Sequence, residues 1–212
     1  MKITIVCDNP NSWIIPYVNE IVKVLSSLGH NIFFIYSHNK VKSGDLAFYL
    51  SCEKIVPKKI LELNNHNLVV HESDLPKGKG WSPLTWQILE GKTIIPIVLF
   101  EAVEKVDSGD IYLRDEIVIE ETDLLCDIKH KQGMKTKELV LKFVEMYPNI
   151  KGIKQKGEET FYRRRTPDDS KIDLDKSINS QFNLLRVVDN ERYPAFFVKN
   201  GQKYLLKIYK EY

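Results

Sequence analysis

Apolar and polar positions along the chain follow two alternating rhythms. Lys2-Ile3-Thr4-Ile5-Val6-Cys7 is an unbroken apolar run closed by Asp8-Asn9-Pro10-Asn11-Ser12, the pattern of a strand buried on both faces and followed by a turn. Over residues 13–28 the spacing changes: Ile14, Val18, Ile21, Val22 and Leu25 recur at near-helical intervals up to Gly29, which predicts a helix and its stop. Residues 31–37 and 46–51 read as further strands, and 57–63 as a short helix. Leu68-Val69-Val70 is the next apolar run and ends on His71. Residues 82–90 present Leu84, Ile88 and Leu89 to one side, with Gly91 at the end, the pattern of a helix with a glycine cap. Between 94 and 121 two strands flank Asp107-Ser108-Gly109, and Thr122 then caps a long helix that reaches Tyr147 with an expected break at Gly133. An amphipathic helix over 177–187 and a hairpin around Asn200-Gly201 complete the pattern. The strand-helix-strand order without Gly-x-Gly-x-x-Gly predicts an α/β, Rossmann-like fold: a mainly parallel twisted sheet flanked by helices, with no dinucleotide fingerprint. A shift to Lys, Gly, Gln and Glu over 148–160 marks the exit from a 1–150 catalytic domain into a 151–212 linker and C-terminal extension.

Composition narrows the function classes. The chain has 212 residues, 43% hydrophobic and 28% charged, enough for one α/β domain with an appendage and unlike a disordered chain. With 31 basic against 29 acidic residues the net charge is +2, too little for a nucleic-acid surface spread over the molecule, although a local basic patch is still allowed. No apolar stretch approaches the ~20 residues of a spanning helix, and the N-terminus opens on a strand without a signal-peptide pattern. Cys7, Cys52 and Cys126 are odd in number and lack a Cys-x-x-Cys pair, so reduced thiols in the cytoplasm are expected, with no metal site.

The chemistry gathers between Leu68 and Asp110. His71-Glu72-Ser73-Asp74-Leu75-Pro76 is followed by the loop Lys77-Gly78-Lys79-Gly80, then by Ser82-Pro83-Leu84-Thr85-Trp86-Gln87-Ile88-Leu89-Glu90-Gly91, and later by Val106-Asp107-Ser108-Gly109-Asp110-Ile111. Both His71 and Asp107 are placed by the pattern at strand ends, where parallel sheets keep their ligands. In this order, and with 36 positions from His71 to Asp107, the motifs resemble the core of the 10-formyltetrahydrofolate-dependent formyltransferases. Towards the end of the chain, Arg165-Thr166-Pro167-Asp168-Asp169 and Tyr193-Pro194-Ala195-Phe196 look like the linker and extension of the sugar and tRNA members.

The resemblance implies a formyltransferase core, 10-formyltetrahydrofolate as formyl donor, His71 as general base and Asp107 as its partner. Histidine suits the role because its ordinary pKa of ~6.5 lets it take an amine's proton near neutrality, and a carboxylate beside it stabilises the imidazolium. For the folate it implies the loop Cys52, Glu53, Lys54, Ile55 and Val56, whose backbone would meet the pterin ring, together with Ser108, Gly109 and Asp110. For the substrate, Asn9, Asn11 and Ser12 stand where a strand meets a helix and form either a phosphate site or a plain helix cap. Lys77 and Lys79 sit in either a solvated turn or a diphosphate-facing lid. Arg164 and Arg165 belong to either a solvated basic strand or a phosphate grip.

The small sugar N-formyltransferases, including those acting on pseudaminic-acid-type precursors for surface glycans, are the nearest likeness. The implied partner is therefore a nucleotide-linked amino sugar, UDP-linked first. Methionyl-tRNA fits less well, given the shorter chain and near-neutral charge, and nucleic acid and membrane are not expected partners. Glycinamide ribonucleotide, a carrier-bound amino acid and a non-catalytic folate- or sugar-binding role stay open. The oligomeric state is not encoded, a homodimer being one option. One departure stands out. Where the family carries an asparagine that donates to the oxyanion, this chain has Val69, and losing one such donor costs ~3–4 kcal/mol in well-studied enzymes. Asn67, Ser73, protonated His71 or a water are the candidate substitutes.

Overall fold

The computed structural model describes residues 1–211. In chain order it contains β1 (Lys2–Val6), α1 (Ile15–Ser27), β2 (Asn31–Ile35), β3 (Gly44–Tyr49), α2 (Lys58–Leu61), β4 (Asn64–His71), β5 (Lys79–Gly80), α3 (Pro83–Leu89), β6 (Ile94–Glu101) and β7 (Ile111–Val118). There follow α4 (Leu125–Met146), β8 (Phe161–Tyr162), α5 (Phe182–Val187), β9 (Ala195–Lys199) and β10 (Gln202–Leu206). Six strands form the central sheet in the order β2-β1-β3-β4-β6-β7. The first four run parallel, while β6 is antiparallel to both β4 and β7. This is the mainly parallel α/β sheet that the apolar runs predict.

One face of the sheet is covered by α1 and α4. Val18, Ile21 and Leu25 of α1 and Ile128, Val140 and Phe143 of α4 pack on Ile3, Ile5, Phe48 and Leu68, all almost inaccessible to water. Gly133 does not break α4, which runs uninterrupted over 22 residues. A Cβ there would lie 2.4 Å from the Tyr17 ring, so the glycine lets α1 and α4 approach rather than ending a helix. The cap also differs from expectation: Asp127 accepts the Leu124 N–H at 2.9 Å at the start of α4, with Thr122 outside it. Residues 177–187 form a short turn and then α5, not one continuous amphipathic helix.

The opposite face, that of Val69, His71, Val98 and Phe100, follows from the alternation of side chains and from the pairing of Val69 with Phe100 and His71 with Val98. Here the topology departs from the sequence pattern. His71 does close a parallel strand, but β6 runs the other way, so that Glu101 ends opposite Leu68. The 102–110 loop must therefore turn back by roughly three residues of strand rise, about 10 Å, to bring Asp107 to His71.

The stretch after α4 is not a free linker. Ile153 exchanges two backbone hydrogen bonds with Ile111, at 2.8 and 2.9 Å. β8 pairs in parallel with β5 in the glycine loop. At Gly80, with φ +94°, a Cβ would lie 2.5 Å from the Tyr162 carbonyl oxygen, so only glycine admits this pairing. Beyond it, Ile172, Leu185, Val188 and Ala195 form a small separate core beneath the β9–β10 hairpin. The hairpin turns at Asn200-Gly201, both with positive φ, as that dipeptide predicts.

Candidate active site

His71 is 7% exposed, and its Nε2 has two oxygens before it. The Gly78 carbonyl lies at 2.9 Å and Asp107 Oδ2 at 3.9 Å. Two acceptors on one nitrogen favour the tautomer with the proton on Nε2, leaving the Nδ1 lone pair as the proton acceptor. The ring's hydrogen bond therefore goes to the glycine loop, while Asp107 acts at ion-pair distance, a division of labour the sequence does not reveal. Phe100 meets the imidazole edge-on at 6.4 Å between centroids. Asp107 is held in turn by the Gly80 N–H, which donates to its Oδ2 at 2.9 Å, and its backbone sits at φ +50°, which aspartate tolerates better than most residues.

Both groups line a cleft of about 860 Å³, within the range of small-molecule sites. The whole 52–56 loop lies along it, as do the apolar side chains of Leu50, Val69, Phe100, Val103 and Val106. Two of the loop's amides are already engaged: Glu53 and Lys54 N–H both donate to the Asp8 carboxylate at 2.9 Å. Among the described residues the backbone groups of Ile55 and Val56 and the carbonyls of Glu53 and Lys54 have no hydrogen-bond partner, which leaves them for a ring edge. Cys52 is no nucleophile, because burial pushes its thiol up to about 12 and it donates to the Val6 carbonyl at 3.3 Å. The apolar walls and the uncommitted loop backbone fit a flat heterocycle such as a pterin.

Several expected site residues lie elsewhere. Ser108, Gly109 and Asp110 do not line the cleft; they shape the turn that carries Asp107. Ser108 Oγ receives the Lys79 ammonium at 2.7 Å and donates to the Val106 carbonyl. Gly109 packs so closely on Glu101 that a Cβ would lie 1.8 Å from its carbonyl oxygen. The Asp110 carbonyl accepts the Glu101 N–H. Lys79 is wholly buried, bonded to Ser108 and to Glu159 at 2.9 Å, so its charge is spent inside the protein instead of on a diphosphate. Lys77 faces a separate hollow of about 330 Å³ with Ser73, Lys92 and Thr160. At the end of β1, Asn9 Oδ1 accepts the Asn11 N–H at 2.9 Å, and Ser12 Oγ donates to Ser51 Oγ at 3.1 Å. These three residues close a turn outside the cleft, which Trp13 and Ile14 reach instead.

Arg164 and Arg165 are on the cleft wall. Arg164 lies 4.5 Å from the centroid of the Trp81 ring and pairs with Glu53 at 3.1 Å. Arg165 is partly buried; its Nε has no partner among the described residues, and its Nη2 donates to the Asp169 carbonyl at 3.4 Å. Among the substitutes for the family's asparagine, Asn67 is spent. Its amide donates to the Leu61 carbonyl at 2.7 Å and its oxygen accepts the Tyr49 hydroxyl. Ser73 faces the other hollow.

Sequence reasoning missed a polar group on α4. Lys129, Gln132 and Thr136 line the cleft at helical spacing. Lys129 Nζ lies 4.2 Å from the Trp13 ring centroid and donates to Gln132 Oε1 at 2.9 Å; Gln132 in turn donates to Glu72 Oε1 at 2.6 Å. Desolvation draws the Lys129 ammonium down to about 8. Polar residues at i, i+3 and i+7 on an otherwise apolar helix face were the available sign. Arg192 and Tyr193 also reach the cleft from the extension.

A family model described as formyl transferase matches residues 36–144, which is more than half of the chain and contains both His71 and Asp107. The chain belongs to the formyl transferase family. Over 154 residues it is 32% identical to a methionyl-tRNA formyltransferase from Thermodesulfovibrio yellowstonii, covering 69% of this chain and 49% of that protein. It thus spans about half the length of the curated relatives it matches.

Among solved structures, a methionyl-tRNA formyltransferase from Clostridium thermocellum superposes with a TM-score of 0.84 at 23% identity, covering 100% of this chain and 94% of that one. A sugar N-formyltransferase from a Shewanella species superposes with a TM-score of 0.74 at 17% identity, covering 100% and 98%. HypX from Aquifex aeolicus in complex with tetrahydrofolic acid superposes with a TM-score of 0.81 at 17% identity, covering 98% and 37%. At these identities the structures show a common fold.

Proposed function

We propose that the protein is an N-formyltransferase that moves a formyl group from 10-formyltetrahydrofolate to the amino group of a nucleotide-linked amino-deoxysugar, UDP-linked first, in the cytoplasm. The observation that carries it is the meeting of His71 and Asp107, 36 positions apart in sequence, at 3.9 Å on a cleft of about 860 Å³ that the 52–56 loop also lines. Folate as donor is supported by family membership and by the tetrahydrofolic acid in the HypX neighbour.

When bound, the donor supplies a formyl carbon attached to a nitrogen that can leave. The 52–56 loop and the wall of Leu50, Phe100, Val103 and Val106 would hold its ring. His71 takes a proton from the attacking amine at Nδ1 and returns one to the leaving nitrogen. Throughout, Gly78 keeps the Nε2 proton in place and Asp107 stabilises the imidazolium.

An anionic acceptor is supported by Lys129, Arg165 and Arg192. All three line the cleft, and none has a carboxylate at ion-pair distance among the described residues. Bound phosphates would replace partners that the protein does not supply. Methionyl-tRNA is the second acceptor, favoured by the names of the Thermodesulfovibrio and Clostridium proteins. Length does not argue against it, because the solved Clostridium chain is covered almost completely.

The test is incubation with 10-formyltetrahydrofolate and, separately, UDP- and dTDP-linked amino sugars, glycinamide ribonucleotide and methionyl-tRNA, with products read by mass. A formylated sugar is expected. Product with methionyl-tRNA alone would transfer the function to tRNA, and folate binding without any product would leave a binding protein.

A further inference from the structure

We propose that Gln155, in the stretch that follows α4, is a positioning residue for Asp107. Its Nε2 donates to two carbonyl oxygens, those of Asp107 and Gly109, each at 2.9 Å. One amide nitrogen carries two N–H groups, and here each has an acceptor; the reverse orientation would set an oxygen against two oxygens. The Gln155 Oε1 is buried with no partner among the described residues, so the side chain is held by its donor end alone.

Those two carbonyls bracket Ser108, so holding both fixes the turn at its two peptide planes. Just before them Asp107 takes φ +50°, and Gly109 lies so close to the Glu101 carbonyl that a side chain would not fit. With its carbonyl turned towards Gln155, Asp107 directs its carboxylate at the Gly80 N–H, 2.9 Å away, and at His71 Nε2, 3.9 Å away. No other side chain bonds the main chain of residues 107 and 109 among the described residues, since Lys79 reaches the Ser108 side chain instead. The 102–110 loop doubles back from the far end of β6; Lys105 ties it to Glu159 and Ser108 to Lys79 through side chains, while Gln155 holds its main chain. The inference rests on the formyl-transfer reading only for its kinetic consequence, because the placement of Asp107 can be measured without turnover.

The deciding variant is Gln155→Met in the full 212-residue chain, which keeps the volume and removes both donors. Hydrogen exchange of the Gly80 amide reports directly on Asp107, its acceptor. It is expected to quicken about tenfold or more, while amides of β1 and β3 keep their protection. With 10-formyltetrahydrofolate and a UDP-linked amino sugar or methionyl-tRNA as acceptor, kcat falls roughly 10- to 100-fold with both KM values nearly unchanged, as expected when a catalytic group is displaced. A general packing defect would instead loosen β1 and β3 together with Gly80. Unchanged Gly80 exchange overturns the proposal whatever the activity. Faster exchange in a protein that formylates none of the acceptors upholds the clamp and removes the formyl-transfer reading. If the methionine variant does not fold, Gln155→Leu, which also lacks any donor, is measured in the same way with the same expectation.

Discussion

The two walls of the cleft differ in how completely the protein satisfies them. On the wall of Asp107 the carboxylate receives the Gly80 N–H, and behind it the buried Lys79 meets Ser108 and Glu159. On the wall of α4 and the extension, Lys129 rests on Trp13 and an amide oxygen, and Arg165 keeps an unpartnered Nε. A self-satisfied polar network is rigid and costly to disturb, whereas unmatched cations are costly until something anionic arrives. On the function proposed above, the contrast separates a part that holds chemistry in place from a part open for recognition.

The largest effect should come from the finished wall. His71→Ala and Asp107→Ala are each expected to lower kcat roughly 10²- to 10⁴-fold while the circular dichroism spectrum stays native. Near-wild-type turnover in either would falsify the assignment of base and partner. Stability separates the walls next. Lys79→Met should cost about 1–2 kcal/mol, a fall of roughly 2–8 °C in Tm for a chain of this size. Glu159→Gln should cost more, because it strands a buried ammonium; the reverse order in calorimetry would mean that Lys79 is not held as an ion.

The open wall should respond in binding instead. Lys129→Met is expected to raise the acceptor KM about tenfold with kcat little changed. Because desolvation places this ammonium near 8, the group is charged below that pH and loses its proton above it. The wild-type acceptor KM should therefore climb as pH passes from 7 to 9, and the methionine variant should lack that climb. An equal climb in both would take Lys129 out of recognition. The smallest effect belongs to the exposed Arg164–Glu53 pair, where Glu53→Gln should change stability by less than about 1 kcal/mol. Val69→Asn, which restores the family's donor, should not reduce the rate; a slower enzyme would show that valine is there for shape.

Strands and helices were legible because they follow from periodicity, and the pairing of His71 with Asp107 because short motifs in order carry the family resemblance that implies it. What stayed hidden depends on which way a side chain leaves a loop. Lys77 and Lys79 are two positions apart, yet one faces a second hollow and the other is buried; the parallel pairing of β5 with β8 decides this, and a partner some 80 positions away leaves no local trace. Gly133 read as a helix breaker because its reason, the Tyr17 ring, sits on another helix. Lys129 passed as one more charge on a lysine-rich helix, since only the tertiary fold shows its face turned to the cleft. The turn between the two strands was read in its place, but its reach back to His71 was not, because the direction of β6 cannot be read from its apolar run.

The pairing of β5 with β8 has a bearing on redesign. Residues 151–165 bond the turn of Asp107 through Gln155 and then, a few positions on, supply two arginines of the cleft wall. A graft that exchanges the extension to alter the acceptor would also replace the support of the proton-transfer pair. Cutting the protein at residue 150 would leave the sheet with its histidine and the Gly80 contact to Asp107 but without the Gln155 bonds that hold the turn. Transplants that carry 151–165 along with the recipient sheet avoid that penalty, and the ladder between two-residue strands is the seam to preserve.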